Sequence, residues 1–223
     1  MRVTEIPHRR VTLFAGHYGS GKTNLAVNFA LALRAGGENV TVADMDIVNP
    51  YFRTKDSADI LTAAGIRLIS PAFANSNVDL PALPAALYAP IAARDTLAVL
   101  DIGGDDRGAY ALGRYAPDIV AEGNFEMIFV VNFCRPLTRT AQDALAVMRE
   151  IEAAGGIPFT AIVNNSNLGE ETTPQTLRAN YASADELSRL SGLRILFTSA
   201  RAQIADAVPE PLFALTLQKK YFA

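Results

Sequence analysis

Gly16-His17-Tyr18-Gly19-Ser20-Gly21-Lys22-Thr23 is the stretch that decides how this chain folds. It fits Gly-x-x-x-x-Gly-Lys-Ser/Thr, a phosphate-binding template, at every fixed position. Its glycines let the backbone curl so that successive N–H groups point at phosphate oxygens. A helix following the loop adds its unpaired N–H groups and the positive end of its dipole. Lys22 is placed to neutralise β/γ-phosphate oxygens, and the Thr23 hydroxyl to ligate Mg²⁺.

The flanks supply the context such a loop needs. Before it, 10–15 (Arg-Val-Thr-Leu-Phe-Ala) reads as a short buried strand. After it, 24–34 reads as a helix with an apolar stripe at Leu25, Phe29 and Leu33. Further along, strands are expected near 39–43, 66–69, 96–100, 126–132, 158–165 and 194–198. Helices are expected near 57–64, 138–153 and 174–189, and Asp79-Leu80-Pro81 is a candidate start of another. Phe213, Leu215 and Leu217 alternate with polar or small residues, as in a final edge strand. Strand–helix alternation with short, unbroken apolar strands predicts an α/β, three-layer, doubly wound fold with a mostly parallel sheet, in one domain over 1–223. Ligands in that architecture sit at the carboxyl ends of the strands. The Gly16 loop, Asp46, Asp101 and Asn164 are all expected there.

The 223 residues suffice for a sizeable core, with 50% hydrophobic and 19% charged. Twenty basic against 23 acidic residues gives no general drive toward nucleic acid or anionic membrane. Cys134 is the one cysteine, so no intramolecular disulfide forms, and a reducing cytoplasm is the expected compartment. The first residues lack the apolar core of a signal peptide, and no apolar run is long enough to span a bilayer. Cys134 is read as an inert thiol, and Lys219–Phe222 as too short a run for a membrane helix.

Asp101 closes an apolar strand, where a P-loop protein keeps the carboxylate that holds Mg²⁺, often through water. Gly103 and Gly104 follow, and Gly104 can offer its N–H to a γ-phosphate, a bond whose gain or loss is a switch. Asp44 and Asp46 close the second strand. They are read as facing opposite ways, so that one positions the attacking water while the other holds Mg²⁺ waters or caps the loop.

In these three features the chain resembles the MinD/ParA-type P-loop ATPases: the loop Gly16–Thr23, Asp44-Met45-Asp46 with Asn49-Pro50 after it, and Asp101-Ile102-Gly103-Gly104. The wider (SIMIBI) class includes nitrogenase iron protein, arsenite-pump ATPase and dethiobiotin synthetase. The resemblance implies that Gly16, His17, Tyr18, Gly19, Ser20, Gly21, Lys22, Thr23 and Asn24 wrap the phosphates of ATP. It implies catalytic roles for Lys22 and Asp46, with Asp46 orienting the water. Thr23, Asp44 and Asp101 would serve Mg²⁺, and Gly104 would be the switch glycine. Asn164 would face the base, with Ser199 and Ala200 alongside. Related GTPases read guanine through the Asp of Asn-Lys-x-Asp. Asn164-Asn165-Ser166-Asn167 lacks that Asp, which favours ATP. Dimer-forming members carry a signature lysine where this chain has His17, so a trans-acting cation is either absent or supplied by another residue such as Arg53, Lys55 or Arg107. The implied activity is slow ATP hydrolysis that switches affinity for an unidentified protein partner or cargo, or for a second copy in a nucleotide-dependent homodimer. The alternatives are an ATP-dependent ligase or kinase acting on a small molecule at His17, Tyr18, Asp105 and Asp106, and a regulator that binds nucleotide without hydrolysis. The Pro71–Pro90 segment is a candidate contact region.

Overall fold

The structure, a computed structural model, describes residues 8–46, 57–70, 88–104, 106–207 and 211–217. Asn49-Pro50, Arg53, Lys55, Asp79–Pro81, most of Pro71–Pro90, Asp105 and Lys219–Phe222 lie outside the described residues. Eight strands form one sheet: β1 (Val11–Ala15), β2 (Val40–Met45), β3 (Arg67–Ile69), β4 (Leu97–Ile102), β5 (Phe125–Val131), β6 (Ala161–Asn164), β7 (Arg194–Arg201) and β8 (Leu212–Leu215). Their order is β3-β2-β4-β1-β5-β6-β7-β8, and every pairing is parallel. The carboxyl ends therefore share one edge, and the expected α/β doubly wound architecture is present.

Buried strands alternate between two cores because successive side chains point to opposite faces. Val11, Leu13 and Ala15 face a core shared with Leu100, Met127 and Phe129. Phe14 faces the other, with Val99, Ile128 and Val130. Helix α1 (Lys22–Ala35) covers the Phe14 side, and its predicted stripe of Leu25, Phe29 and Leu33 is buried. Phe29 meets Phe14 edge-on at 5.3 Å and Phe213 at 6.3 Å, which ties α1 to the far end of the sheet. Asn28 does the same through polar atoms, since its side chain both donates to and accepts from the backbone of Thr216.

Among the described residues seven further helices join α1: α2 (Ala58–Ala63), α3 (Tyr88–Ala92), α4 (Asp106–Gly113), α5 (Ala116–Glu122), α6 (Ala141–Gly155) and, in place of the single helix expected over 174–189, α7 (Pro174–Arg178) followed by a separate α8 (Tyr181–Ser191). The break falls at Asn180, whose side chain donates to Thr176 O at 2.7 Å and competes with the helical ladder. Strand β6 is shorter than the expected 158–165 because Pro158 has no N–H and Phe159 N donates to the Glu152 carboxylate instead. Helices α4 and α5 have no counterpart in the sequence reading. The start of α6 is sharp: Thr140 and Asp143 form a capping box.

Just before β1, Arg10 is buried among the carbonyls of Pro90, Ile91 and Ala93, with its Nε on Glu122. Arg94 also reaches Glu122 at 3.1 Å. The Arg10 hydrogen bond holds the Glu122 carboxyl below its ordinary pKa, helped by the charges of Arg10 and Arg94 and opposed by burial.

Candidate functional site

The loop from Gly16 to Gly21 leaves β1 and enters α1 on that shared edge. Two of its glycines are required by the backbone. Gly21, at the N-cap of α1, has φ +90°, and a Cβ there would strike the Asn165 side-chain amide. Gly19 has φ +75°. A Cβ on Gly16 would run into the carbonyl of Val130 on β5. The curl is closed by Ser20 N donating to His17 O at 3.1 Å, and Lys22 Nζ folds back to the same carbonyl at 3.4 Å. Lys22 and Thr23 are both largely buried, while Asn24 lies part-exposed at the start of α1. Tyr18 stands 51% exposed on the rim, and His17 turns its Nδ1 to Tyr18 O.

Asp44 on β2 and Asp101 on β4 are register partners. Both are buried. Residues two apart on a strand share a face, so Asp44 and Asp46 are not set on opposite sides as the sequence reading supposes. They act together: Asp46 N donates to Asp44 Oδ1 at 3.0 Å, and the Asp46 carboxylate lies beside Gly103. Two buried carboxylates side by side repel one another unless a cation compensates. Mg²⁺ suits that arrangement, since it takes few protein oxygens and keeps several waters. Among the described residues no group of three or more His, Cys, Asp or Glu side chains forms a cage. Thr23, Asp44 and Asp101, the residues expected from the sequence to serve Mg²⁺, are all buried.

Gly104 rests on the phosphate loop. A Cβ there would sit 2.6 Å from Lys22 Nζ and 2.8 Å from Tyr18 N. Behind it, Gly103 and Gly108 touch backbone to backbone, so α4 starts directly from the Asp101 loop.

The loops after β5, β6 and β7 complete the edge. Asn164, expected to face the base, is fully buried, and its Oδ1 accepts from Ser166 N and Oγ at 3.2 and 2.7 Å. Its Nδ2 and the Ser20 hydroxyl are buried without a hydrogen-bond partner among the described residues. It is Asn165 that reaches the phosphate loop: its Nδ2 donates to Ser20 O at 2.6 Å, and its Oδ1 accepts from Ser199 Oγ. Ser199 and Ala200 lie within β7, paired with Phe213 and Ala214 of β8, while the ladder to β6 ends at Thr198.

Two more residues were missed by sequence reasoning. Arg135 Nε donates to Gly19 O at 3.0 Å, and Asn132 organises the turn that carries it. The signal was there for Asn132, because Val131-Asn132 closes its strand as Val163-Asn164 does. Arg135 sits in a loop whose path only the fold reveals. Cys134, next to it, receives the Asn180 amide at 3.7 Å, and burial pushes its thiol pKa up.

Solved structures share this fold. The signal recognition particle 54 kDa protein of Aeropyrum pernix K1, in complex with GDP, matches 87% of the chain with a TM-score of 0.56 and 17% identity. The signal recognition particle receptor FtsY of Elizabethkingia anophelis matches 88% at TM-score 0.57 and 18% identity. The cell division protein ftsY of Thermotoga maritima matches 90% at 0.58 and 17%. The fold is that of P-loop nucleoside triphosphatases. At these identities the likeness is one of fold, and the chain spans 41%, 62% and 64% of the three. No protein-family model matches the sequence, and no curated protein resembles it in sequence.

Proposed function

We propose that this protein is a Mg²⁺-dependent nucleotide switch that binds ATP and hydrolyses it slowly, in the manner of the MinD/ParA-type ATPases. The observation that carries this is the contact of Gly104 with both Lys22 and Tyr18 of the phosphate loop. A γ-phosphate bound at Lys22 has Gly104 as its neighbour, so its presence or loss is felt by the Asp101 loop and by α4 behind it. Gly16 to Asn24 would cradle the phosphates, with Lys22 neutralising them. Thr23, Asp44 and Asp101 would hold the metal, which when bound neutralises charge on the phosphates. Asp46 would orient the attacking water. Turnover is slow where water positioning is incomplete, and an unidentified protein partner or a second copy of this chain would complete it.

Asn165, with the backbone around Ser199 and Ala200, would border the base. Three residues beyond that anchor stands Leu168, 48% exposed, where a guanine-reading site of the Asn-Lys-x-Asp type has its carboxylate. This favours adenine. The signal recognition particle protein carries GDP, so guanine nucleotides are the comparison arm of the test. Titration calorimetry with Mg-ATP and Mg-GTP should show ATP binding that is lost in Lys22→Ala. Tighter GTP binding overturns the base assignment. No heat with either nucleotide overturns the whole reading.

No helix among the described residues is long and apolar enough to cross a membrane. We place the protein in the cytoplasm, on the strength of its cysteine usage.

A further inference from the structure

His17 stands where dimer-forming relatives of this type keep a lysine, which leaves open the source of a second positive charge at the phosphates. Of the three candidates named from sequence, Arg53 and Lys55 lie outside the described residues, and Arg107 falls in the first turn of α4. The structure brings a different cation to the loop. Arg135 follows β5, the neighbour of β1, and its Nε donates to the carbonyl of Gly19 at 3.0 Å. The guanidinium packs against Gly19 itself, with Nε 3.5 Å from where a Cβ would be.

The turn that carries Arg135 is held from both sides. Arg135 N donates to Asn132 O at 3.1 Å, and Thr138 N donates to Arg135 O at 3.2 Å. Thr138 Oγ donates to Asn132 O at 2.6 Å, and Cys134 N to Asn132 Oδ1 at 3.0 Å. Phe133 N donates to Ser166 Oγ, so the β6 loop braces the same turn. An arginine on such a base loses little entropy when it binds something.

One N–H of five is used on Gly19, and the rest of the guanidinium has no partner among the described residues. Arg10, Arg149 and Arg194, by contrast, are each paired with a glutamate. The Arg135 charge also stands beside the positive end of the α1 dipole, an arrangement that calls for an anion. A guanidinium suits phosphate oxygens by charge and by its fork of donors.

We propose that Arg135 is a phosphate-binding residue of the same subunit's nucleotide, supplying from the β5 loop the positive charge that His17 does not. This rests on the nucleotide reading above. The test is the binding of Mg-ADP and Mg-ATP to the full chain by calorimetry at low and moderate salt, with Arg135→Gln and Arg135→Lys. Glutamine keeps a polar donor for Gly19 O without charge, and lysine keeps the charge. Arg135→Gln should weaken both nucleotides roughly tenfold to a hundredfold. Its affinity should also depend less on salt than that of the wild type. Arg135→Lys should recover part of the loss. Wild-type affinity in Arg135→Gln overturns the proposal, as does a loss whose salt dependence matches the wild type's. A wild type that binds no nucleotide at all overturns the underlying reading instead.

Discussion

Replacing Asn165 with alanine removes a side chain that ties the β6 loop and β7 to the phosphate loop. The native amide donates to Ser20 O at 2.6 Å and accepts from Ser199 Oγ, at a position that is 5% exposed. After truncation the Ser199 hydroxyl can turn to Asn164 O, which already lies 3.5 Å away. The Ser20 carbonyl loses the Asn165 amide outright, so the expected loss is about 1–3 kcal/mol, the cost of breaking one buried hydrogen bond. A second substitution checks the geometry. Gly21→Ala alone meets two obstacles, φ +90° and the collision of its Cβ with the Asn165 amide. The backbone part costs roughly 1–2 kcal/mol. In the Asn165→Ala background the collision is gone and only the backbone part is left. The two substitutions should therefore be strongly non-additive, with the double variant more stable than the sum of the singles predicts. Urea unfolding at constant m-value measures all four proteins. If Asn165→Ala stays within about 0.5 kcal/mol of wild type and the pair is additive, the clamp does not exist as described.

Phe29→Ala should cost about 3–5 kcal/mol in the same assay, because it empties a fully enclosed site between Phe14 and Phe213. Stability should also fall in acid through Glu122. A carboxyl whose pKa is lower folded than unfolded stabilises the fold above its unfolded pKa, and that contribution is lost as pH falls through the folded value. Glu122→Gln should flatten this acid limb in a pH series of thermal midpoints, while leaving the midpoint's response near neutrality otherwise unchanged. Cys134 should react slowly with iodoacetamide at neutral pH and faster as pH rises, since burial disfavours its thiolate. Asn180→Ala, which removes the one hydrogen bond favouring the thiolate, should slow the reaction further at a given pH.

Among the named site residues, those that local sequence could place were the ones whose role is set by the backbone. Gly16 to Thr23 could be read because a curled amide loop between a buried strand and a helix needs glycine, lysine and threonine at set spacing. Asp44 and Asp101 could be read as strand-end carboxylates, but not as neighbours. Their adjacency comes from β2 lying beside β4, a pairing of segments more than fifty residues apart. The choice between Asn164 and Asn165 was beyond periodicity too. It depends on tertiary placement: Asn164 ends β6, and Asn165, one residue past it, is the one whose amide meets Ser20 O.

The sequence by itself determined the alternation of strands and helices, the phosphate loop and the carboxylates at strand ends, because each depends on residues within a few positions of one another. The tertiary structure alone decided that Asn165 and Arg135 grip two successive carbonyls of that loop, and that Gly104 lies on Lys22. Such contacts join residues 82 to 145 positions apart. No local propensity encodes them, since they exist only once a parallel sheet has brought the ends of its strands to one edge.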